Sequence, residues 1–127
     1  MSYKYYNPNP YKKSTSDCVV RALTKVLDKD WDTVYVELCS VGFDLKEMPS
    51  SNNVWRTFLS QKGFQRYFIP CAHPYNYTVK EFCEDNPKGT FLLFVGEHVI
   101  SAIDGDYFDT EDSGYDVPTS FWKWEGR

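Results

Sequence analysis

The chain has 127 residues, 42% hydrophobic and 18% aromatic, too apolar for a disordered segment and long enough for one packed core, so a single domain over 1–127 is expected. A formal net charge of −4 does not provide the basic surface that a phosphate backbone demands, which sets nucleic acid aside as a partner. No stretch approaches the roughly 20 apolar residues of a bilayer span, and MSYKYYNPNP has no apolar leader segment. A cytoplasmic protein that is not membrane-bound is the expectation, with Cys18, Cys39, Cys71 and Cys83 as reduced thiols.

Residues 1–13, rich in Tyr, Asn, Pro and Lys, read as an extended arm. Ser14, Thr15, Ser16 and Asp17 then offer N-caps for a first helix. Its apolar positions Val19, Val20, Leu23, Val26 and Leu27 recur at helical spacing and predict one buried face. A second helix is expected from Trp31, carrying Val34, Tyr35 and Leu38 with Gly42 near its end. A third follows Ser51 or Asn52, with Val54, Trp55, Phe58 and Leu59 inward and Gly63 as its C-terminal stop.

Beyond Gly63 the period changes to that of strands. FQRYFI reads as a strand stopped by Pro70, and Thr78 with Glu81 forms a capping box for TVKEFCED. TFLLFV and HVISAI follow as strands separated only by Gly96 and Glu97. Asp104-Gly105 is a hairpin turn returning into YFDT, and FWKW is a last strand, possible at an edge. Helices precede antiparallel strands, so the fold class is α+β.

Cys18 lies in the first turn of the first helix, where unpaired N–H groups and the helix dipole favour a thiolate and can donate to an oxyanion. Asp17, unless turned into the cap, opposes that charge. A cysteine here also reads as a small core residue. Of the two histidines, His98 opens a strand and shares a face with Ile100 and Ala102. The two-residue turn pairs Ile103 with Asp106 and Ala102 with Tyr107. It places Asp109 on the same face as His98, one diagonal step away, where a carboxylate can orient an imidazole. His73 stands beside Cys71 without the paired spacing of a zinc site, so neither a metal nor any other cofactor is assigned. The acidic tract from Asp104 to Asp116 lacks the spacing of a calcium loop.

A cysteine at the head of a helix, then a strand, a tight turn, a histidine opening the next strand and an aspartate on its hairpin partner resemble the papain-like cysteine peptidases. Asp17-Cys18 and TFLLFVGEHVISAI are similar to the small bacteriocin-processing type in particular. The likeness spans 12–112, with motif content in 16–23 and 90–110, and extends to small proteins of bacterial and phage genomes. It implies a papain-like fold, N-terminal helices packed on a C-terminal antiparallel sheet, and a Cys18–His98–Asp109 triad that cleaves or transfers an amide or thioester through a thioester intermediate. The substrate would be a peptide or protein tail, entering between the helical half and the sheet. Where that type has a glutamine before the cysteine to complete the oxyanion hole, this chain has Lys12. Lys12, Ser14, Ser16 or an arm asparagine (Asn7, Asn9) would have to supply the donor. The type's glycine after the cysteine is here Val19. An inactive papain-fold module that binds a protein partner is the alternative.

Overall fold

The computed structural model describes residues 2–13, 17–69 and 77–125. Among these residues, four helices and six strands make an α+β fold, as the order of periodicities implies. The short strand β1 (Tyr3–Tyr5) is followed by the helices α1 (Cys18–Leu27), α2 (Trp31–Leu45) and α3 (Asn52–Gln61). After strand β2 (Phe64–Phe68) and helix α4 (Val79–Asp85) come β3 (Thr90–Val95), β4 (His98–Ile103), β5 (Asp106–Asp109) and β6 (Ser120–Trp124).

The strands form one sheet in the order β1-β5-β4-β3-β6-β2. FLLF in β3 shows why both faces are covered. Leu92 and Phe94 belong to the core under α1–α3, whereas Phe91 and Leu93 pack with Val79, Phe82 and Cys83 of α4. A strand alternates its side chains, so a continuous apolar run requires an apolar layer on each side. Thr78 and Glu81 make the expected capping box at the start of α4. No described helix is long and apolar enough to cross a membrane.

Two expectations are corrected. The sheet is mixed, because the N-terminal arm adds β1 parallel to β5 (Tyr3 to Tyr107, Tyr5 to Asp109). The arm's own backbone groups find partners there, and Tyr6 anchors it to α1 through a 2.8 Å hydrogen bond with Thr24. Strand β6 is internal, paired with β3 on one side and β2 on the other. Its alternation buries Ser120 and Trp122, and β2, separated from it in sequence by α4 and β3–β5, closes that edge. Gly42 lies near the end of α2, as expected; the helix runs on to Leu45 and stops at Lys46 in a left-handed conformation.

Gly42 also has a packing role. A Cβ at this position would lie 2.7 Å from the Glu47 carbonyl oxygen, where the chain turns back across the helix. Helix propensity alone favours alanine over glycine by about 1 kcal/mol, whereas forcing a methyl group against fixed backbone costs about 1–3 kcal/mol. Gly42→Ala is therefore expected to lower unfolding free energy in a urea titration; a gain in stability would show that the 46–49 turn yields.

Candidate active site

The site forms at one end of the sheet, where α1 begins, β4 starts and β5 finishes. The hairpin register is the one the Asp104-Gly105 turn imposes: Ile103 pairs with Asp106, Ala102 with Tyr107 and Ser101 with Phe108. Both turn residues have positive φ, as a type I′ hairpin requires. Asp109 follows at the end of β5, diagonal to His98, and its Oδ2 lies 2.7 Å from His98 Nε2. His98 also stands beside the Cys18 thiol and interacts with it. Cys18, His98 and Asp109 are thus brought together as one chain of contacts.

Strand alternation alone does not explain this meeting. His98 belongs to the same alternate set as Ile100 and Ala102, which pack towards α4. Cys18 packs against the opposite core, with Val99. The contact is made because His98 and Asp109 are strand-end residues, able to reach past the end of the sheet to the helix on its other side.

The electrostatics favour a charged pair. Burial pushes the Cys18 thiol up, but hydrogen bonds from His98 and the Val99 backbone N–H, with the charges of His98 and Arg21, bring it below its ordinary value. His98 is pushed up to about 10, first by its hydrogen bond to Asp109 and then by Cys18, against the effect of burial. Burial also pushes Asp109 up, and the bonds from His98, Ser113 and the Thr110 backbone outweigh it, so the carboxylate is held below its usual range.

Asp109 is 2% exposed and saturated with donors. Its Oδ1 accepts from the Thr110 N–H at 2.7 Å and Arg21 Nη2 at 3.2 Å, and its Oδ2 accepts from Ser113 Oγ at 2.5 Å besides His98. Arg21 donates through Nη1 to Asp17 Oδ1 at 2.6 Å, and the other Asp17 oxygen accepts from Trp31 Nε1 at 3.0 Å. Asp17 occupies the N-cap position but makes no side-chain cap bond. Its charge is turned along the helix onto Arg21, so it does not face the thiol unopposed.

Arg21, Trp31 and Ser113 were not singled out in the sequence. The spacing of Asp17 and Arg21, one helical turn apart, carries that pairing in principle; nothing local points Ser113 at Asp109. Lys12 is exposed, and its Nζ donates to the Asn7 carbonyl at 3.0 Å within the arm. The structure does not bring it to Cys18. Ser14 and Ser16, like Cys71 and His73, lie outside the described residues. The first-turn N–H groups of Cys18, Val19 and Val20 precede the first intrahelical bond, from Arg21 N to Asp17 O, the position from which helix N–H groups can donate to an oxyanion.

Two hollows lie beside the site. A polar one of about 370 Å³ is lined by Arg21, His98, Asp109, Glu111 and Asp116. An apolar groove of about 380 Å³ is lined by Asp17 and Val19, which flank Cys18, with Trp31, Tyr35, Leu38 and Met48. Among the described residues no cluster of His, Cys, Asp and Glu is arranged to hold a metal ion.

No known family model, curated protein or solved structure matches the chain.

Replacing Arg21 by leucine would leave two carboxylates that are 6% and 2% exposed without their cation. Breaking such a buried pair typically costs about 3–5 kcal/mol, and urea unfolding of Arg21→Leu should show a loss of that order. A loss under about 1 kcal/mol, the range of surface ion pairs, would mean that water reaches these groups. A second expectation concerns pH. His98 is raised in the folded state, so its contribution is complete below its unfolded value of 6.5 and declines as pH rises above it. In Cys18→Ser, which removes the coupled thiol, the urea midpoint should fall from pH 6.5 upward. Adding His98→Gln should abolish that slope.

Proposed function

We propose that the chain is a cysteine-dependent hydrolase or acyl transferase of papain-like architecture, with Cys18 as nucleophile, His98 as general acid and base, and Asp109 as the orienting carboxylate. The observation that carries this reading is that one imidazole stands between a buried carboxylate and a thiol. Its Nε2 is held by Asp109 at 2.7 Å, and the ring interacts with the Cys18 thiol at the head of a helix. That order of contacts keeps the ring in one orientation while it gains and loses a proton.

The chemistry follows from the groups present. The Cys18 thiolate attacks the carbonyl carbon of an amide or thioester, and the oxygen that becomes negative faces N–H groups at the start of α1. His98 gives its Nδ1 proton to the departing amine or thiol, leaving a thioester on Cys18. Water, deprotonated by His98, or an acceptor nucleophile then releases the acyl group and restores the thiolate–imidazolium pair. The apolar groove that begins at Asp17 and Val19 suits a bulky apolar side chain next to the bond attacked, in a peptide or protein substrate.

The alternative, a papain-fold module that binds a protein without catalysis, is favoured by one observation. The position where the similar type has its glutamine holds Lys12, whose ammonium is engaged within the arm by the Asn7 carbonyl. Losing one oxyanion donor commonly costs about 100- to 1,000-fold in rate, enough to turn an enzyme into a binder.

Site-resolved alkylation of Cys18 between pH 5 and 9 separates the two. A thiolate paired with His98 reacts well below the reference thiol pKa of about 8.5, and His98→Ala should raise the apparent pKa and slow reaction at pH 6. If Cys18 titrates as an ordinary thiol in both proteins, the catalytic reading fails and the binding module stands.

A further inference from the structure

Away from Cys18, two arginines face each other without an acid between them. Arg56 of α3 and Arg66 of β2 interact electrostatically, and neither forms an ion pair with a described carboxylate. The Nε atom of each is buried without a hydrogen-bond partner. Directly across the β2–β6 ladder from Arg66 is Trp122, whose Nε1 is likewise buried and unpartnered. Trp122 meets Trp55 edge-on at 6.1 Å, and the Arg56 guanidinium stands over the Trp55 and Phe94 rings at 5.4 and 5.5 Å. Arg66 stands over Phe68 at 4.5 Å.

The imbalance is one-sided. All three orphan atoms are donors, two belong to cations, and aromatic faces fix the guanidinium planes. Buried polar groups in folded proteins are nearly always paired, so three unpaired donors at one place are a feature to be explained. Cation–π contact offsets part of the cost of crowding two positive charges, but supplies no hydrogen-bond acceptor. Burial, and then the neighbouring charge of Arg66, lower the Arg56 pKa, the direction expected of cations held together without a counter-ion. A planar oxyanion would neutralise both and accept from both forks.

We propose that Arg56 and Arg66 form an anion-recognition site that takes the carboxylate of an acidic peptide segment. Charge complementarity selects the occupant: in a chain with a net charge of −4, this pair is a local positive point against which an acidic segment can dock. Exposed Phe68, beside Arg66 on the same strand face, gives the segment an apolar flank. Phe94, under Arg56, pairs with Val99, whose N–H faces the Cys18 sulfur. The anion site and the thiol therefore lie on either side of one rung of the β3–β4 ladder.

The test follows the Arg56 and Arg66 side-chain Nε–H signals by NMR in the full chain, with acetyl-Gly-Glu-Gly-amide through the millimolar range. Acetyl-Gly-Gln-Gly-amide, sodium chloride and inorganic phosphate are the controls. The glutamate peptide is expected to shift both signals saturably and the glutamine peptide to leave them in place. Arg56→Gln or Arg66→Gln should weaken the apparent Kd at least tenfold, the size of one lost charge-assisted contact. Arg66→Lys, which keeps the charge and loses the fork, should also weaken it, covering the case of a glutamine variant that does not fold. Equal shifts with chloride, or none with the glutamate peptide, overturn the site. Shifts with phosphate alone overturn the carboxylate in favour of a phosphate group. Because the signals belong to the arginines, loss of Cys18 reactivity would not mimic failure here, nor the reverse.

Discussion

Arg21 is the tie between the two halves of the molecule. Its guanidinium holds the carboxylate of Asp17, one helical turn back, and that of Asp109, at the far end of the β4–β5 hairpin. All three residues are less than a tenth exposed. Two buried carboxylates at this distance from water are tolerable only with a cation between them, because the penalty for an unpaired buried charge exceeds that of most mutations. The start of α1 and the end of β5 are therefore fixed relative to each other by electrostatic necessity, and Cys18 and His98 inherit their separation from that constraint.

The same cluster sets the proton balance. Two carboxylates share one guanidinium, which leaves the buried group short of a positive charge until His98 is protonated. The hydrogen bond to Asp109 and the raised His98 pKa are two views of that shortage. Asp17, adjacent in sequence to the thiol, would on its own disfavour a thiolate; engaged by Arg21 and Trp31, it becomes part of the scaffold. Cys83 makes the contrast. It is 1% exposed, and burial pushes its thiol up to about 11, with no imidazole or guanidinium among the described residues to reverse the desolvation. The two cysteines differ in their neighbours as well as in depth, Cys18 being only partly buried.

The two sites have different characters. At Cys18, the donors and acceptors of Asp109, Arg21 and Asp17 interlock. At the Arg56–Arg66 side, donors outnumber acceptors and the cations rest on aromatic rings. A closed network holds groups in place, whereas an open one has bonding capacity left for something else. The second arrangement depends on β6 lying inside the sheet, since it carries Trp122 between β3 and β2.

Local chemistry determined much of this directly. The caps and periods marked α1 to α4 nearly at their observed bounds, because capping and amphipathic spacing are properties of a few neighbouring residues. The Asp104-Gly105 dipeptide, by imposing a two-residue turn, settled the register that puts Asp109 diagonal to His98. What the sequence could not determine was everything set by contacts distant along the chain. The parallel pairing of the arm with β5, the internal place of β6 and the Glu47 carbonyl that requires glycine at position 42 each depend on which segments pack together. So do the bridge from Arg21 to Asp109, 88 residues apart, and the meeting of Arg56 with Arg66. Periodicity records which side of an element is buried, and only the packed structure decides what is buried against it.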